Sequence, residues 1–437
     1  MAIRDLLLST IIIGSLPVCF SRPWIGILMW SWIGYMNPHR LTFGFAYGMP
    51  FALMVAVATL GGLFFTKDRY QLPRIAEVYL LIALWSVFFL STLFAVYPED
   101  AWNHFFKVSK ILLMTFVTLI LFQDPTKLRA LLWVIALSIG FFGLKGGIWA
   151  VITGGQNQVL GPPDSFIEGN TEIGLALNMV LPLLLFLRRG ENRRWLRHFL
   201  LAMFLFSIIA ILITYSRGAL VGLASVVILL LLKAGKFRIA FFLAVGIAIA
   251  FFMLPQKWFS RMESIKTYEE DRSAMGRIVA WQLSYRLALN RPLLGYGFRP
   301  FTEENYRDFM PDVVRDKDRS TDAHNIFFQV LAEHGFTGLA LYAGLILFTL
   351  VSLRQIIRWS RGDPSMDRIL DLAQMVEVSI VGFIISGFFL SLSYFDLFYH
   401  FVALVIIIKH LTLMHCQQTT TLDHQFVPVS LEGVHSH

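Results

Sequence analysis

The sequence predicts an all-α, polytopic membrane protein of about twelve transmembrane helices, with one large outer loop containing amphipathic helices. Three observations predict it. Hydrophobic residues fill 56% of the 437 positions and charged residues only 15%, against roughly 25% charged in a soluble domain. Eleven apolar runs come close to the about 20 residues that cross a bilayer as a helix. And 23 of the 66 charged residues fall within positions 257–322, about a seventh of the chain. Too few charges remain elsewhere to cover a water-facing surface. A soluble cytosolic enzyme, a disordered chain and a nucleic-acid binder are therefore excluded, despite a net charge of +8. Membrane lipids are the expected surroundings.

The apolar runs lie at 48–66, 77–97, 105–123, 129–153, 170–188, 196–214, 218–233, 237–254, 326–354, 372–394 and 398–414. In the first 36 residues, Ser21-Arg22-Pro23 splits two shorter apolar runs. One net crossing there gives twelve spans with both termini inside. Thirteen spans with the N terminus outside is the alternative. Orientation follows from the excess of Lys and Arg on cytoplasmic loops. The stretches Lys67–Arg74, Lys127–Arg129, Arg188–Arg197, Lys233–Arg238 and Arg354–Arg361 are basic, and an even number of crossings separates each pair. The Pro98-Glu99-Asp100 turn, the Gly154–Gly169 loop, the Thr214–Gly218 turn and the long segment after Pro255 then face outside. The chain divides into a bundle over 1–254, an outer loop over 255–325, C-terminal helices over 326–415 and a polar tail over 416–437, expected to be disordered and cytoplasmic. Cys19 and Cys416, the two cysteines, suggest no disulfide framework.

The outer loop is too long for a connector. Ile278, Trp281, Tyr285 and Leu289 fall on one helical face, and Pro292 follows as a stop. That pattern reads as a helix with Trp281 against the membrane interface, or as a cap over the bundle.

His324 is the most informative single residue. It sits between Asp322 and Asn325 where the loop meets a membrane helix, and a histidine there can take a proton at neutral pH. Incidental placement in a helix cap formed by Asp322 or Asn325 is the plainer reading. Arg217, in the polar turn Thr214-Tyr215-Ser216-Arg217-Gly218, offers a planar fork to phosphate oxygens, or simply snorkels to the interface. Arg277 opens the loop helix, with Arg272 and Arg299 nearby in sequence. Lys145 and Glu172 lie within spans, where ionisable residues are functional candidates by default, or pair with each other. Glu333 and His334 fall roughly 13–15 Å below His324 if the helix is continuous. Asp316-Lys317-Asp318 has spacing suited to a divalent cation, but Arg315, Lys317 and Arg319 partly neutralise it, so neither a metal nor a cofactor is expected.

These residues resemble the O-antigen ligase and polymerase superfamily of bacterial inner membranes. Its hallmark is His followed by Asn, Ser or Gln, then nine residues, then Gly-x-x and a small residue. Here that reads His324-Asn325, nine residues, then Gly335-Phe336-Thr337-Gly338. The turn at Arg217, the GRxxxW element with Arg277 and Trp281, and Asn290–Phe298 (NRPLLGYGF) are also similar to the family. The opening MAIRDLLL and the later NPHRLTFGFAYGMPFA resemble a subgroup of O-glycosylation ligases associated with exosortase systems. The resemblance implies a glycosyltransferase C-like membrane fold. It implies transfer of glycan from undecaprenyl diphosphate, in the periplasm, to the lipid A core, to another lipid-linked repeat or to a protein. It implies an essential histidine at His324 and two essential arginines at Arg217 and Arg277, with Arg272 the other candidate for the second. Lys145 and Arg299 are expected to help hold the donor, and Asn325, Asp322, Ser216, Tyr215, Glu333 and Glu172 to support the site. A transporter would be expected to show inverted repeats and a mid-membrane site. The sequence shows no such repeat.

Overall fold

A computed structural model describes residues 2–67, 70–234, 272–311 and 322–425. The expected span at 237–254 and the Asp316–Asp318 triplet lie outside them. The described residues are helical, with no strand among them, and nine of their helices are long and apolar enough to cross a membrane.

The first 36 residues form a hairpin. Helices α1 (Ala2–Ser21) and α2 (Pro23–Met36) are separated at Arg22. Pro23 occupies the first helical position of α2, where its missing N–H costs nothing, and it cannot continue α1. Helix α3 (Phe51–Phe65) fixes the directions. Its Gly62 packs on the Phe20 backbone and its Thr59 on Gly26, while Phe51 meets the His39 ring. At the other end, Asp5 accepts the Ala46 N–H at 3.0 Å. Helices α1 and α3 are therefore parallel, and α2 returns between the same two faces. This corrects the expected single net crossing. The start of α1 lies with the 37–50 loop, as in the thirteen-span alternative.

The body of the bundle follows in order as α4 (Ala76–Leu93), α5 (Pro98–Leu121), α6 (Pro125–Ile152), α7 (Asn170–Arg189), α8 (Arg194–Ile213) and α9 (Arg217–Ala234). Helices α6 and α8 approach closely because small residues face α8. A Cβ on Gly143 would meet Ser207 Oγ at 2.0 Å, and one on Gly147 would meet the Phe206 carbonyl at 2.2 Å. In a membrane, where apolar burial gives little drive, such close backbone approach is what holds helices together.

Contacts between loops define two opposite faces. On one face Arg189 pairs with Asp371, Arg129 with Glu191 at 3.6 Å, and His415 with Asp363 at 3.0 Å. On the opposite face Arg40 pairs with Asp164 at 3.2 Å, and the Val96 N–H donates to the Tyr296 carbonyl at 3.0 Å. We call the second the site face.

Further differences from the sequence reading follow, most of them in this region. In α10 (Arg272–Asn290), the buried face is Ala280, Leu283, Ser284 and Leu287, whereas Tyr285 and Leu289 are 51% and 56% exposed. Trp281 does not face the membrane. It stacks on Phe328, centroids 5.2 Å apart, and donates to the Ala323 carbonyl at 2.8 Å. After the short α11 (Glu303–Phe309) comes α12 (Ile326–Ser360), which breaks at Gly335 (φ 66°, ψ −166°). The carbonyls freed there are not orphaned. Ala332 accepts from the Tyr296 N–H at 3.1 Å and Glu333 from the Gly297 N–H at 2.9 Å, while the Phe336 N–H donates to Pro292. Broken backbone inside a membrane bundle survives only with such partners. Finally, α13 (Asp367–Gly387) stops short of the expected 394, leaving a connector, Phe388–Phe395. And α14 (Asp396–Gln425) carries helix through ten residues of the tail expected to be disordered.

Candidate functional site

The site is assembled at chain breaks. At the α8–α9 turn, Tyr215 is left-handed (φ 55°) and its hydroxyl donates to the Gly155 carbonyl. Ser216 Oγ donates to Thr171 Oγ1 at 2.9 Å and accepts the Ala219 N–H at 3.2 Å. Serine thereby caps α9, and Arg217 becomes its first residue. At the loop–α12 junction, Asn325 is the cap, accepting from Phe327 N–H at 2.9 Å and Phe328 N–H at 3.3 Å. Asp322 is exposed and does not cap. His324 is left-handed (φ 44°) and half-buried.

The connector Phe388–Phe395 joins these pieces. Phe389 packs against Gly218, next to Arg217, and the Arg277 guanidinium sits 5.9 Å from its ring centroid. Ser391 Oγ accepts the His324 N–H at 2.8 Å, and the Phe388 carbonyl accepts from Asn325 Nδ2 at 3.3 Å. Arg217, Arg277 and His324 are thus gathered around one short segment. Burial, and then the Arg277 charge, hold the His324 imidazole below its ordinary value, with Asp322 pulling the other way. A neutral imidazole is what a proton acceptor at neutral pH requires.

Beside this cluster lies a cleft of about 520 Å³. Arg299, Asp322, Glu333 and Glu172, all anticipated from the sequence, line it, together with His104, Lys107 and Tyr394, which were not. Ser391 lines it as well, and so connects the cleft to His324. Arg299 is left-handed (φ 60°), and its N–H donates to Glu333 Oε1 at 3.2 Å. Lys107 Nζ stands 4.0 Å over the Phe166 ring.

Lys145 is placed apart. It is exposed on the side of α6, among Phe141, Leu144, Ile148 and Trp149, and it also borders a second hollow lined by Leu41 and residues 158–163 of the loop after α6; it does not line the cleft. Its helix turns it outward, because Gly143, Gly146 and Gly147 take the inner face. The alternative Lys145–Glu172 pair is not formed, and Lys145 is not gathered with His324, Arg217 and Arg277. His334 is fully buried and belongs to the core behind the cleft. The connector residues Phe389, Ser391 and Tyr394 went unread because they were absorbed into an apolar run. Serines at 391 and 393 between aromatic residues were the available signal.

A helical bundle with membrane-length apolar helices, and with a histidine and two arginines gathered at one face beside a polar cleft, defines the class as a multi-pass integral membrane protein. Residues 202–343, which include Arg217, Arg277, His324 and Gly335, match the family model described as O-Antigen ligase, a match over about a third of the chain that supports the O-antigen ligase and polymerase superfamily. At the family level the activity is glycosyl transfer of the ligase or polymerase type, from a lipid-linked glycan to an acceptor. Residues 3–192 match a family of unknown function. No curated protein matches the chain.

Proposed function

We propose that this protein is an inverting, metal-independent glycosyltransferase. It would move O-antigen glycan from undecaprenyl diphosphate to the lipid A core at the periplasmic surface of the inner membrane, with the site face outward. What supports this reading is the meeting of His324, Arg217 and Arg277 around Phe388–Ser391, within the family-matched segment. The acceptor hydroxyl attacks the anomeric carbon and gives its proton to His324. The bond from that carbon to the phosphate oxygen breaks, and its electron pair leaves with the diphosphate. Arg217 and Arg277 hold the diphosphate and stabilise the charge it gains. Direct displacement inverts the anomeric centre.

The test is in vitro transfer with purified protein, undecaprenyl-diphosphate-linked glycan and lipid A core, with EDTA and no nucleotide. Glycan on the core, lost with His324→Ala, supports the reading. Activity that returns only with Mg²⁺ or Mn²⁺ overturns the metal-free mechanism. Transfer to a second lipid-linked repeat or to protein Ser or Thr, but not to core, keeps the chemistry and reassigns the acceptor. Movement of the donor across the membrane without transfer would mean a transporter.

A further inference from the structure

Behind the cleft, four groups close a ring. The Tyr394 hydroxyl contacts Glu333 Oε2 and also His334 Nε2 at 2.8 Å. His334 Nδ1 contacts Ser91 Oγ at 2.9 Å, and Ser91 Oγ donates to the Glu333 backbone carbonyl at 2.9 Å. Ser91, Glu333, His334 and Tyr394 are all buried.

Hydrogens can be counted around this ring. There are four contacts, and each needs one hydrogen between its two heavy atoms. With Glu333 ionised and His334 neutral, Tyr394, His334 and Ser91 supply only three. One contact would then set lone pair against lone pair between buried side chains, which buried polar groups avoid. A fourth hydrogen completes the ring. Burial holds the Tyr394 phenol well above its ordinary value, so Tyr394 keeps its proton. The extra one belongs to Glu333 or to His334. The Phe88 and Phe298 rings pack on His334 at 4.4 and 4.6 Å, surroundings that make a charge pair costly. With the hydrogen on Glu333 every member is neutral. Glu333 donates to Tyr394, Tyr394 to His334 Nε2, His334 Nδ1–H to Ser91, and Ser91 to the Glu333 carbonyl.

We propose that Glu333 presents a carboxylic acid rather than a carboxylate to the cleft, kept in that form by Tyr394, His334 and Ser91, and that it positions an acceptor hydroxyl there. The proposal rests on the glycosyltransferase reading above. Oε2 is committed to Tyr394. Oε1 accepts the Arg299 N–H at the cleft wall, and the Gln329 side chain, which also lines the cleft, is the carboxyl's remaining polar neighbour; a hydroxyl donor takes the second lone pair of Oε1 in its place. The charged and titratable groups sharing the cleft are Asp322, Arg299, His104, Lys107, Glu168 and Glu172. A neutral Glu333 among them favours the hydroxyls of a sugar and does not repel an acceptor that carries phosphate elsewhere. Glu333 is a positioning residue here, and His324 remains the proton acceptor.

Two measurements on the full-length protein test this. The first needs no substrate. Infrared difference spectra between H2O and D2O should contain the exchangeable carbonyl band of a protonated carboxylic acid. Glu333→Gln should remove it, and Tyr394→Phe should move it. A wild-type spectrum from which Glu333→Gln removes nothing overturns the proposal, whether or not the protein transfers glycan. The second is kinetic. Glu333→Ala should raise the acceptor KM about ten- to hundredfold with the donor KM little changed. Glu333→Gln supplies the fourth hydrogen from its amide and should recover most of that loss, and its acceptor KM should no longer rise at high pH. A folded Glu333→Gln protein as impaired as Glu333→Ala would mean that the ionised form does the work, and the proposal would fall.

Discussion

The α6–α8 contact and the Phe388–Phe395 connector hold the molecule together by opposite means. Between α6 and α8, the sequence removes side chains. Gly143 and Gly147 let two regular helices touch, each with its interior backbone groups paired along its own length. At the connector, regular structure stops and the backbone is satisfied from afar. Ser391 takes the His324 N–H, Phe388 takes the Asn325 amide, and Ser393 Oγ donates to the Ile326 carbonyl at 2.8 Å. The first arrangement gives stability with no exposed chemistry. The second leaves side chains such as His324 free to react, because the scaffold uses its backbone and not its imidazole.

Substitutions should separate the two. The largest effect is expected at Gly147→Leu, which has no room against the Phe206 backbone. Folded protein should be lost, read as aggregated material in size-exclusion chromatography. His324→Ala should leave that elution profile unchanged and cut transfer by roughly 10²–10⁴-fold. Should His324→Ala also aggregate, the separation between scaffold and chemistry would be wrong. Arg217→Ala should cost about 10²–10³-fold and weaken donor binding. The pH profile gives a finer test. Because His324 works unprotonated and its value is held down, the acid limb of the rate profile should lie below the ordinary histidine value of 6.5. Arg277→Gln removes a charge that opposes protonation, so the limb should move up. Asp322→Asn removes one that favours it, so the limb should move down. Ser391→Ala is the smallest change. It removes one partner of the His324 backbone, worth about 0.5–1.5 kcal/mol, and should lower kcat a few-fold without unfolding the bundle.

The scaffold was largely legible in the sequence, since helices in a bilayer declare themselves by length and composition. Which loops share a face could be read for the same reason, because each span reverses the chain. The N-terminal hairpin could not, because α2 has only 14 residues and hydropathy does not say whether two short apolar runs continue or fold back. In the site, His324, Arg217 and Arg277 stood out as polar residues at the ends of apolar runs. Lys145 stood out equally but lies outside the cleft, because polarity gives depth along a helix but not which way a side chain turns. Ser391, Tyr394 and Ser91 were silent. Their roles depend on contacts across 60 to 240 positions, and an ordinary serine in an apolar run carries no mark of that.

The connector has a consequence for how such proteins can be divided. The family-matched segment ends at residue 343, yet Phe389, Ser391 and Tyr394 lie beyond it, and Ser91 and Val96 come from the stretch matched to the other family. A segment recognisable by descent is therefore not a unit that could be cut out or transplanted whole. Expressed alone, residues 202–343 would retain His324 and both arginines but lose the groups that orient them. Chimeras between relatives should exchange the connector together with that segment.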